Sequence, residues 1–303
     1  MQSINSACYG APLAERLGKK HMESDIALYS HASHEGIFSF VEPVTYPDKI
    51  KSLFFPCMMS DVCLLKVTPE WMDFKLGEII LTLNALNASK GILVLDELVD
   101  EGLFSKAVSD TVVESYARCE DDAVALKSML SSLDLPSSDG EPRVLVDHCF
   151  EVKSVGTVVL GVVTQGEIKP YDKMISQPSG KECMIKSIQM QDKNQEKAGC
   201  KSRVGLSLKG VKPEDVPRGS VLSNDLKPRK EFGVDFTRNP FFKEELHDDF
   251  MRLCSGLQWE QVVFDGKKVV CEKALVAEPG QRLVFARVAK PGEQRIIGWG
   301  KIL

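Results

Sequence analysis

The sequence predicts an α/β domain followed by two all-β domains, and three observations support this. The first part of the chain alternates apolar, strand-like runs with segments of helical spacing. A segment rich in Pro, Ser, Gly and Asp follows at 136–142 and is typical of a linker. Beyond it, short strand-like runs follow one another between Gly and Pro turns. A length of 303 residues suits two or three domains.

The front segment, residues 1–135, is predicted to form a parallel sheet covered by helices, because strands separated by helices favour parallel pairing. Strands are expected at 37–43, 62–67, 91–96 and 112–119, and helices at 75–87 and 120–133. The first nine residues are a poor strand candidate. A helical or irregular connection is expected at 10–20.

The rest of the chain is predicted to form two antiparallel β-barrels, at 143–226 and 227–303, joined by a second seam at 224–232. One stretch in the last block, 243–254, has a helical pattern. The composition, 43% hydrophobic and 27% charged, excludes collagenous, disordered and disulfide-framework proteins.

Charge is distributed unevenly along the chain. Residues 1–142 carry 11 Lys and Arg against 22 Asp and Glu, a net charge of −11, whereas 143–226 and 227–303 each carry +3. This split suggests that the two basic blocks, 143–226 and 227–303, face a nucleic acid. Nine cysteines without C-x-x-C spacing indicate a reducing, cytoplasmic setting, and no apolar run is long enough for a membrane span.

Two segments of the middle block carry a family resemblance. They are VGTVVLGVVTQGEIKPYDKM (155–174) and IKSIQMQDKNQEKAGCKSRVGLSLKGVKPEDVPRGSVLS (185–223). Both resemble the second domain of translational GTPases of the elongation factor Tu and selenocysteine elongation factor type. The last block is similar to their third domain through FFKEEL and the C-terminal VFARVAKPGEQRIIGWGKI. The resemblance implies an archaeal-type elongation factor paralogue with a P-loop-type front domain and two barrels.

In this superfamily the front domain binds GTP, yet its three nucleotide motifs are not found here. A P-loop reads G-x-x-x-x-G-K-[ST], but Gly10 and Gly18 are separated by seven residues and Lys20 stands at the hydroxyl position. The segment 41–55 has no D-x-x-G. Asp96 and Glu97 occupy the positions of Asn and Lys in N-K-x-D.

These departures predict a degenerate G domain without a cofactor, so that GTP and Mg²⁺ enter only under the alternative of a divergent GTPase. Lys19 and Lys20 are weak candidates for a phosphate contact; otherwise they are exposed lysines that end a short helix. No catalytic residue is predicted. His31, His34 and Glu35 form an H-x-x-H-E cluster that fits a solvated loop better than a metal site.

The resemblance also implies a pocket on the second domain for the aminoacyl end of tRNA. Asp147 and His148 stand where the superfamily has acidic residues, Phe150 where it has an aromatic wall, and Arg203 where it has an Asn. These four residues are the candidates for RNA binding. An equally open interpretation of Phe150 is a residue of the barrel core.

The expected partner is therefore tRNA or the ribosome, with a protein partner also open and with neither a membrane nor DNA. One hypothesis is a translation elongation factor-like protein that binds RNA without GTP hydrolysis. The second is a divergent GTPase that acts as an elongation factor. The third is a non-catalytic regulatory module that descends from such a factor.

Overall fold

The computed structural model describes residues 2–34, 36–245 and 251–303, and its first sheet has seven strands in the order β2-β3-β4-β1-β5-β6-β7. The strands are β1 (Gln2–Gly10), β2 (Lys19–Glu23), β3 (Ile26–Ala32), β4 (Gly36–Pro43), β5 (Val62–Val67), β6 (Gly91–Leu95) and β7 (Ala117–Arg118). The pairs from β4 through β1 to β7 are parallel, and β2 and β3 are antiparallel additions at one edge.

In the described residues, five α-helices accompany this sheet. They are α1 (Ala14–Leu17), α2 (Lys51–Met58), α3 (Phe74–Ala85), α4 (Glu101–Val108) and α5 (Ala123–Ser131). The last three begin at acidic caps, since the side chains of Asp73, Asp100 and Asp122 accept hydrogen bonds from backbone N–H groups of the first helical turns. This arrangement confirms the α/β class expected for the front domain.

The first nine residues were the poorest strand candidate, yet β1 lies in the middle of the sheet, so that expectation was wrong. Asn5 is 2% exposed, and both its backbone N–H and its side-chain amide donate to Asp61 Oδ2, at 3.1 and 3.2 Å. A buried polar residue with satisfied hydrogen bonds does not interrupt a central strand.

Two other local expectations also need correction. Most of 112–119 is not a strand, because Val112–Ser115 form a 3₁₀ turn and only Ala117–Arg118 pair with β6. The helical pattern at 243–254 falls partly on 246–250, outside the described residues, and Met251–Ser255 form a strand. Short segments of this kind are decided by their tertiary partners rather than by periodicity.

The second sheet has the order β11-β16-β8-β9-β15-β12-β13, and β11 also pairs with β12, which closes the strands on themselves. Its strands, with the separate β10–β14 pair, are β8 (Arg143–Val152), β9 (Gly156–Gln165), β10 (Glu167–Ile168), β11 (Lys173–Gln177), β12 (Lys181–Met190), β13 (Lys193–Gln195), β14 (Ala198–Gly199), β15 (Arg203–Lys209) and β16 (Val221–Leu222). Aliphatic residues such as Val146, Val159, Ile185 and Leu206 fill the interior.

The last strands form a closed barrel in the order β17-β20-β19-β18-β21-β22. They are β17 (Pro228–Arg238), β18 (Met251–Ser255), β19 (Gln258–Phe264), β20 (Lys268–Val276), β21 (Arg282–Arg287) and β22 (Ile296–Ile302). The two barrels confirm the all-β part of the predicted fold class.

The chain forms two compact units. One contains 1–134, 235–254 and 282–301, and the other contains 135–234, 255–281 and 302–303. Of the helices in the described ranges, none combines the length and the apolar character that a bilayer crossing requires.

Candidate functional site

A β-bulge on the second barrel positions the first candidate residues. Val144 and Val146 belong to the core, and Cys149 packs against it from the same strand β8. The core-facing residues of β8 have even numbers before the bulge and odd numbers after it. The register with β9 shifts at the same place, between Val146 and His148. The bulge leaves Asp147 completely buried and turns His148 toward the surface.

The Asp147 carboxylate is held by two side chains. His148 Nδ1 lies 2.5 Å from Asp147 Oδ1, and Arg203 Nη2 donates to Oδ2 at 2.7 Å. Arg218 adds a third contact, from Nε to the Asp147 backbone carbonyl at 2.8 Å. A buried carboxylate needs such partners, because an unpaired charge in a barrel interior is strongly unfavourable.

The same contacts fix the histidine tautomer. Because His148 Nδ1 faces a carboxylate, that nitrogen carries the proton, and Nε2 can then accept from Arg218 Nη2 at 3.2 Å. Arg218 was not among the residues singled out from the sequence. Its signal was the R-G-x-V-L motif, which was interpreted there only as a closing turn.

Within this cluster, Arg203 donates to the Asp147 carboxylate, whereas Arg218 donates to the Asp147 backbone carbonyl. Arg203 Nη1 is buried and has no hydrogen-bond partner among the described residues, although the Arg203 side chain as a whole is 16% exposed. A buried donor without a partner is unfavourable unless a ligand or a water satisfies it. We define this cluster as Asp147, His148, Arg203 and Arg218. Its Arg203 Nη1 can therefore donate a hydrogen bond to an anionic or carbonyl oxygen of a ligand.

Phe150 lies on the same strand, two residues beyond His148, and it is 37% exposed. The interpretation of Phe150 as a core residue was therefore wrong. An exposed aromatic ring two residues along β8 from His148 provides an apolar surface on which a base or an acyl group can stack. The structure thus brings all four residues predicted for this site onto one region of the barrel, together with Arg218.

A second candidate region is the edge of the first sheet where the parallel strands end, which is where open α/β sheets bind ligands. The chain leaves β1 at Gly10, with φ +85°, and the Ala11 N–H donates to the Lys66 carbonyl at 2.9 Å. A Cβ at Gly10 would lie 1.9 Å from that carbonyl oxygen. Helix α1 follows directly, so a helical connection is confirmed at 14–17.

Ion pairs occupy the same edge. Asp121 accepts from Arg16 Nη1 at 2.6 Å and from Lys66 Nζ at 2.9 Å. Burial raises the pKa of the Asp121 carboxyl, but the hydrogen bonds from Lys66 and Arg16 outweigh burial and hold the pKa below its usual range. Arg16 and Lys66, two cations that could have bound a phosphate, are thus already paired with a carboxylate.

Asp96 and Glu97 line an open cavity of about 790 Å³ beside β7, together with Glu120, Asp121 and Arg118. Asp96 Oδ1 accepts from the Leu98 N–H at 2.9 Å, and Arg118 pairs with Glu101. The residues that the structure describes at this edge do not fit a Mg²⁺-bound nucleoside triphosphate, because the Ala11 N–H, Arg16 and Lys66 are engaged within the chain and carboxylates line the cavity.

Lys19 and Lys20 lie on the edge strand β2 rather than at the end of a helix. Lys20 pairs with Glu23, and its Nζ lies 5.4 Å from the centroid of the Tyr29 ring. His31 is in β3, and Glu35 lies outside the described residues. Across the described ranges, no three His, Cys, Asp or Glu side chains are grouped as a metal ion would require.

Comparison with known proteins relates the second domain to translation factors. Residues 156–223 match the family model for elongation factor Tu domain 2. A selenocysteine-specific elongation factor of Methanocaldococcus jannaschii is 36% identical over 101 residues, 33% of this chain and 22% of that protein. The elongation factor 1-alpha of Cenarchaeum symbiosum is 36% identical over 92 residues, 30% of this chain and 21% of that protein.

One relative matches over nearly the whole length. It is the uncharacterized protein MJ0325 of Methanocaldococcus jannaschii, 30% identical over 298 residues, which are 96% of each chain. The chain belongs to the MJ0325 family, within the translational GTPase superfamily. This membership includes the front domain, which the domain 2 model does not reach.

Solved structures of the translational GTPase superfamily share the fold. The elongation factor SelB of Methanococcus maripaludis, crystallised with the GTP analogue GppNHp, superimposes with a TM-score of 0.79 at 18% identity, over 99% of this chain and 79% of that one. A bacterial selenocysteine-specific elongation factor gives 0.75 at 16% identity, over 100% of this chain and 58% of that one. This chain therefore shares the fold of these factors.

Proposed function

We propose that this protein is a translation elongation factor-like protein that binds the aminoacyl end of a tRNA on its second domain and does so without hydrolysing GTP. The observation that carries the proposal is the cluster of Asp147, His148, Arg203 and Arg218, with the exposed Phe150 two residues beyond His148 on β8. Residues 156–223, which contain Arg203 and Arg218, match the family model for elongation factor Tu domain 2.

The chemistry of the cluster suits an acylated 3′ end. Arg203 Nη1 offers a buried N–H donor that no described residue accepts, and a carbonyl, carboxylate or phosphate oxygen would satisfy it. Phe150 offers an apolar face for a base or an acyl group. Asp147 acts as a positioning residue, because it orients His148 and Arg203 without being exposed itself.

The absence of GTP hydrolysis is supported by the edge of the first sheet. Arg16 and Lys66 are paired with Asp121, and the Ala11 N–H is bonded to Lys66. Carboxylates from Asp96, Glu97 and Glu120 line the neighbouring cavity. A triphosphate at this edge would meet negative charge without free cations to offset it.

The test measures binding of one tRNA body in acylated and deacylated forms by fluorescence anisotropy, with and without GTP and Mg²⁺. We expect acylated tRNA to bind more tightly than deacylated tRNA, to the same extent with and without nucleotide, and its ester to hydrolyse more slowly when bound. Equal affinity for both forms would overturn the proposal. Binding that requires GTP would favour a divergent GTPase instead.

The matched variants are Arg203→Met and Arg229→Met, since Arg229 is an exposed arginine on β17. Arg203→Met should weaken the binding of acylated tRNA about ten-fold or more, because a charge-assisted hydrogen bond to the ligand is lost. Arg229→Met should leave the preference for acylated tRNA unchanged. If both variants weaken the binding of acylated tRNA equally, Arg203 contributes only a general electrostatic attraction to tRNA and the proposed site is wrong.

A further inference from the structure

A small cavity of about 210 Å³ lies at the carboxyl end of β1. Its lining includes Pro12, Tyr9, Tyr46, Trp71, Ile79 and Glu42. In a nucleotide-binding sheet this position would face phosphates, which need cations and N–H groups. Here three aromatic rings and a carboxylate surround the space, so its chemistry is the opposite of a phosphate site.

Glu42 is the acid of this cavity. It follows the apolar run of β4, and its Oε1 accepts from the Tyr29 hydroxyl at 2.7 Å. Burial raises the pKa of Glu42, and the Glu15 carboxylate adds to that effect, while the Tyr29 hydroxyl, Lys20 and a hydrogen bond from the Ala14 backbone oppose it. Lys20 itself is ion-paired with Glu23. A partly buried carboxylate without a bound cation of its own is a costly arrangement.

The aromatic residues of the cavity already attract cations of the chain. Lys75 Nζ lies 4.6 Å from the centroid of the Trp71 ring, and Arg295 Cζ lies 5.8 Å from that of Tyr46. Ring faces carry negative potential and favour cations, more so where water is excluded.

Those two cations are themselves paired with acids, Lys75 with Asp73 and Arg295 with Glu78. The local charge around the rings is thus balanced without Glu42. A further positive group would be needed to balance Glu42 itself.

The volume sets the size of that group. At about 30 Å³ per water, a space of 210 Å³ corresponds to about seven waters, which suits a small organic cation and not a nucleotide. We propose that this cavity binds a small organic ammonium group, with its charge on Glu42 and its carbon surface against Trp71 and Tyr46. The site is separate from the cluster on the second domain, so either can fail without the other.

Choline and 3,3-dimethylbutan-1-ol are the probes, because they have nearly the same shape and only choline is charged. Each is titrated into ¹⁵N-labelled full-length protein, and the three indole N–H signals of Trp71, Trp259 and Trp299 are followed. We expect choline to shift the Trp71 signal saturably, with Kd in the region of about 1–10 mM, and the neutral isostere to bind about ten-fold or more weakly.

Glu42→Gln keeps the shape and the acceptor for Tyr29 but removes the charge. Glu70→Gln is the control, because Glu70 is an exposed acid on the same 3₁₀ turn as Trp71. Glu42→Gln should weaken the binding of choline about ten-fold and leave the binding of the neutral isostere unchanged. Three results would each overturn the proposal. They are equal binding of choline and the neutral isostere, equal binding of choline by the parent protein and Glu42→Gln, and a response of Trp259 or Trp299 in place of Trp71.

Discussion

The buried ion pair between Glu78 and Arg295 gives the sharpest prediction for stability. Arg295 is 1% exposed, its Nε donates to Glu78 Oε1 at 2.8 Å, and its Nη2 donates to Oε2. Its Nη1 donates to the Pro47 carbonyl, and the Tyr46 hydroxyl donates to Glu78 Oε2 at 3.0 Å. All of these residues belong to one compact unit.

Replacing Arg295 by Met removes one charge and leaves Glu78 buried without its cation. Breaking a buried pair in this way costs about 3–5 kcal/mol. For a unit of roughly 150–250 residues, 1 kcal/mol lowers Tm by about 2–4 °C, so Arg295→Met should lower Tm by about 6–20 °C. Glu78→Gln should lose a similar amount, because the Arg295 guanidinium then stays buried without its anion and one of its two acceptor oxygens becomes an NH₂ group.

The measurement is urea unfolding followed by circular dichroism, with the double variant Glu78→Leu, Arg295→Met as the decisive comparison. When both charges are removed no unpaired charge remains, so the double variant should recover most of the stability that Arg295→Met loses. The reasoning is refuted if Arg295→Met loses less than about 1 kcal/mol, or if the double variant loses as much as Arg295→Met and Glu78→Leu, each measured singly, lose in sum.

Two further predictions concern the edge of the first sheet. Gly10→Ala should destabilise the protein by about 2–4 kcal/mol, because φ is +85° and the new Cβ would meet the Lys66 carbonyl at 1.9 Å; Gly77→Ala, on helix α3 with no atom near, is the control in the same unfolding assay. Glu42→Gln should raise Tm at pH 7.5 but not at pH 4. The folded protein holds the Glu42 proton more tightly than the unfolded chain, so the stability contribution of Glu42 is present at low pH and is lost as pH rises through the raised pKa. An unchanged difference between parent and Glu42→Gln across this pH range would contradict the second prediction.

The strands that the sequence identified well are those with a continuous apolar pattern. VCLLKV became β5 and GILVL became β6, since both are buried between helices and need no polar partner. β1 was missed because its buried Asn5 and Ser6 look unfavourable in isolation. Asn5 becomes acceptable only when Asp61, 56 residues away, accepts its two N–H groups.

The candidate cluster was found only in part for a similar reason. Asp147, His148, Phe150 and Arg203 were selected on the resemblance, and the structure places them together. Arg218 lies 71 residues from Asp147 along the chain, and its contact depends on how β16 approaches β8. No periodicity encodes such an approach.

The sequence alone determined the order of the domains, the superfamily and the loss of the three nucleotide motifs, because apolar periodicity, turn residues and short motifs are local properties of the chain. Only the tertiary structure decided what replaced those motifs: an ion-paired edge around Asp121 and a cavity in which Glu42 meets aromatic rings. It also decided, through one bulge in β8, that Asp147 is buried while His148 and Phe150 reach the surface. These features depend on distances between residues far apart in the chain, which a linear pattern does not contain.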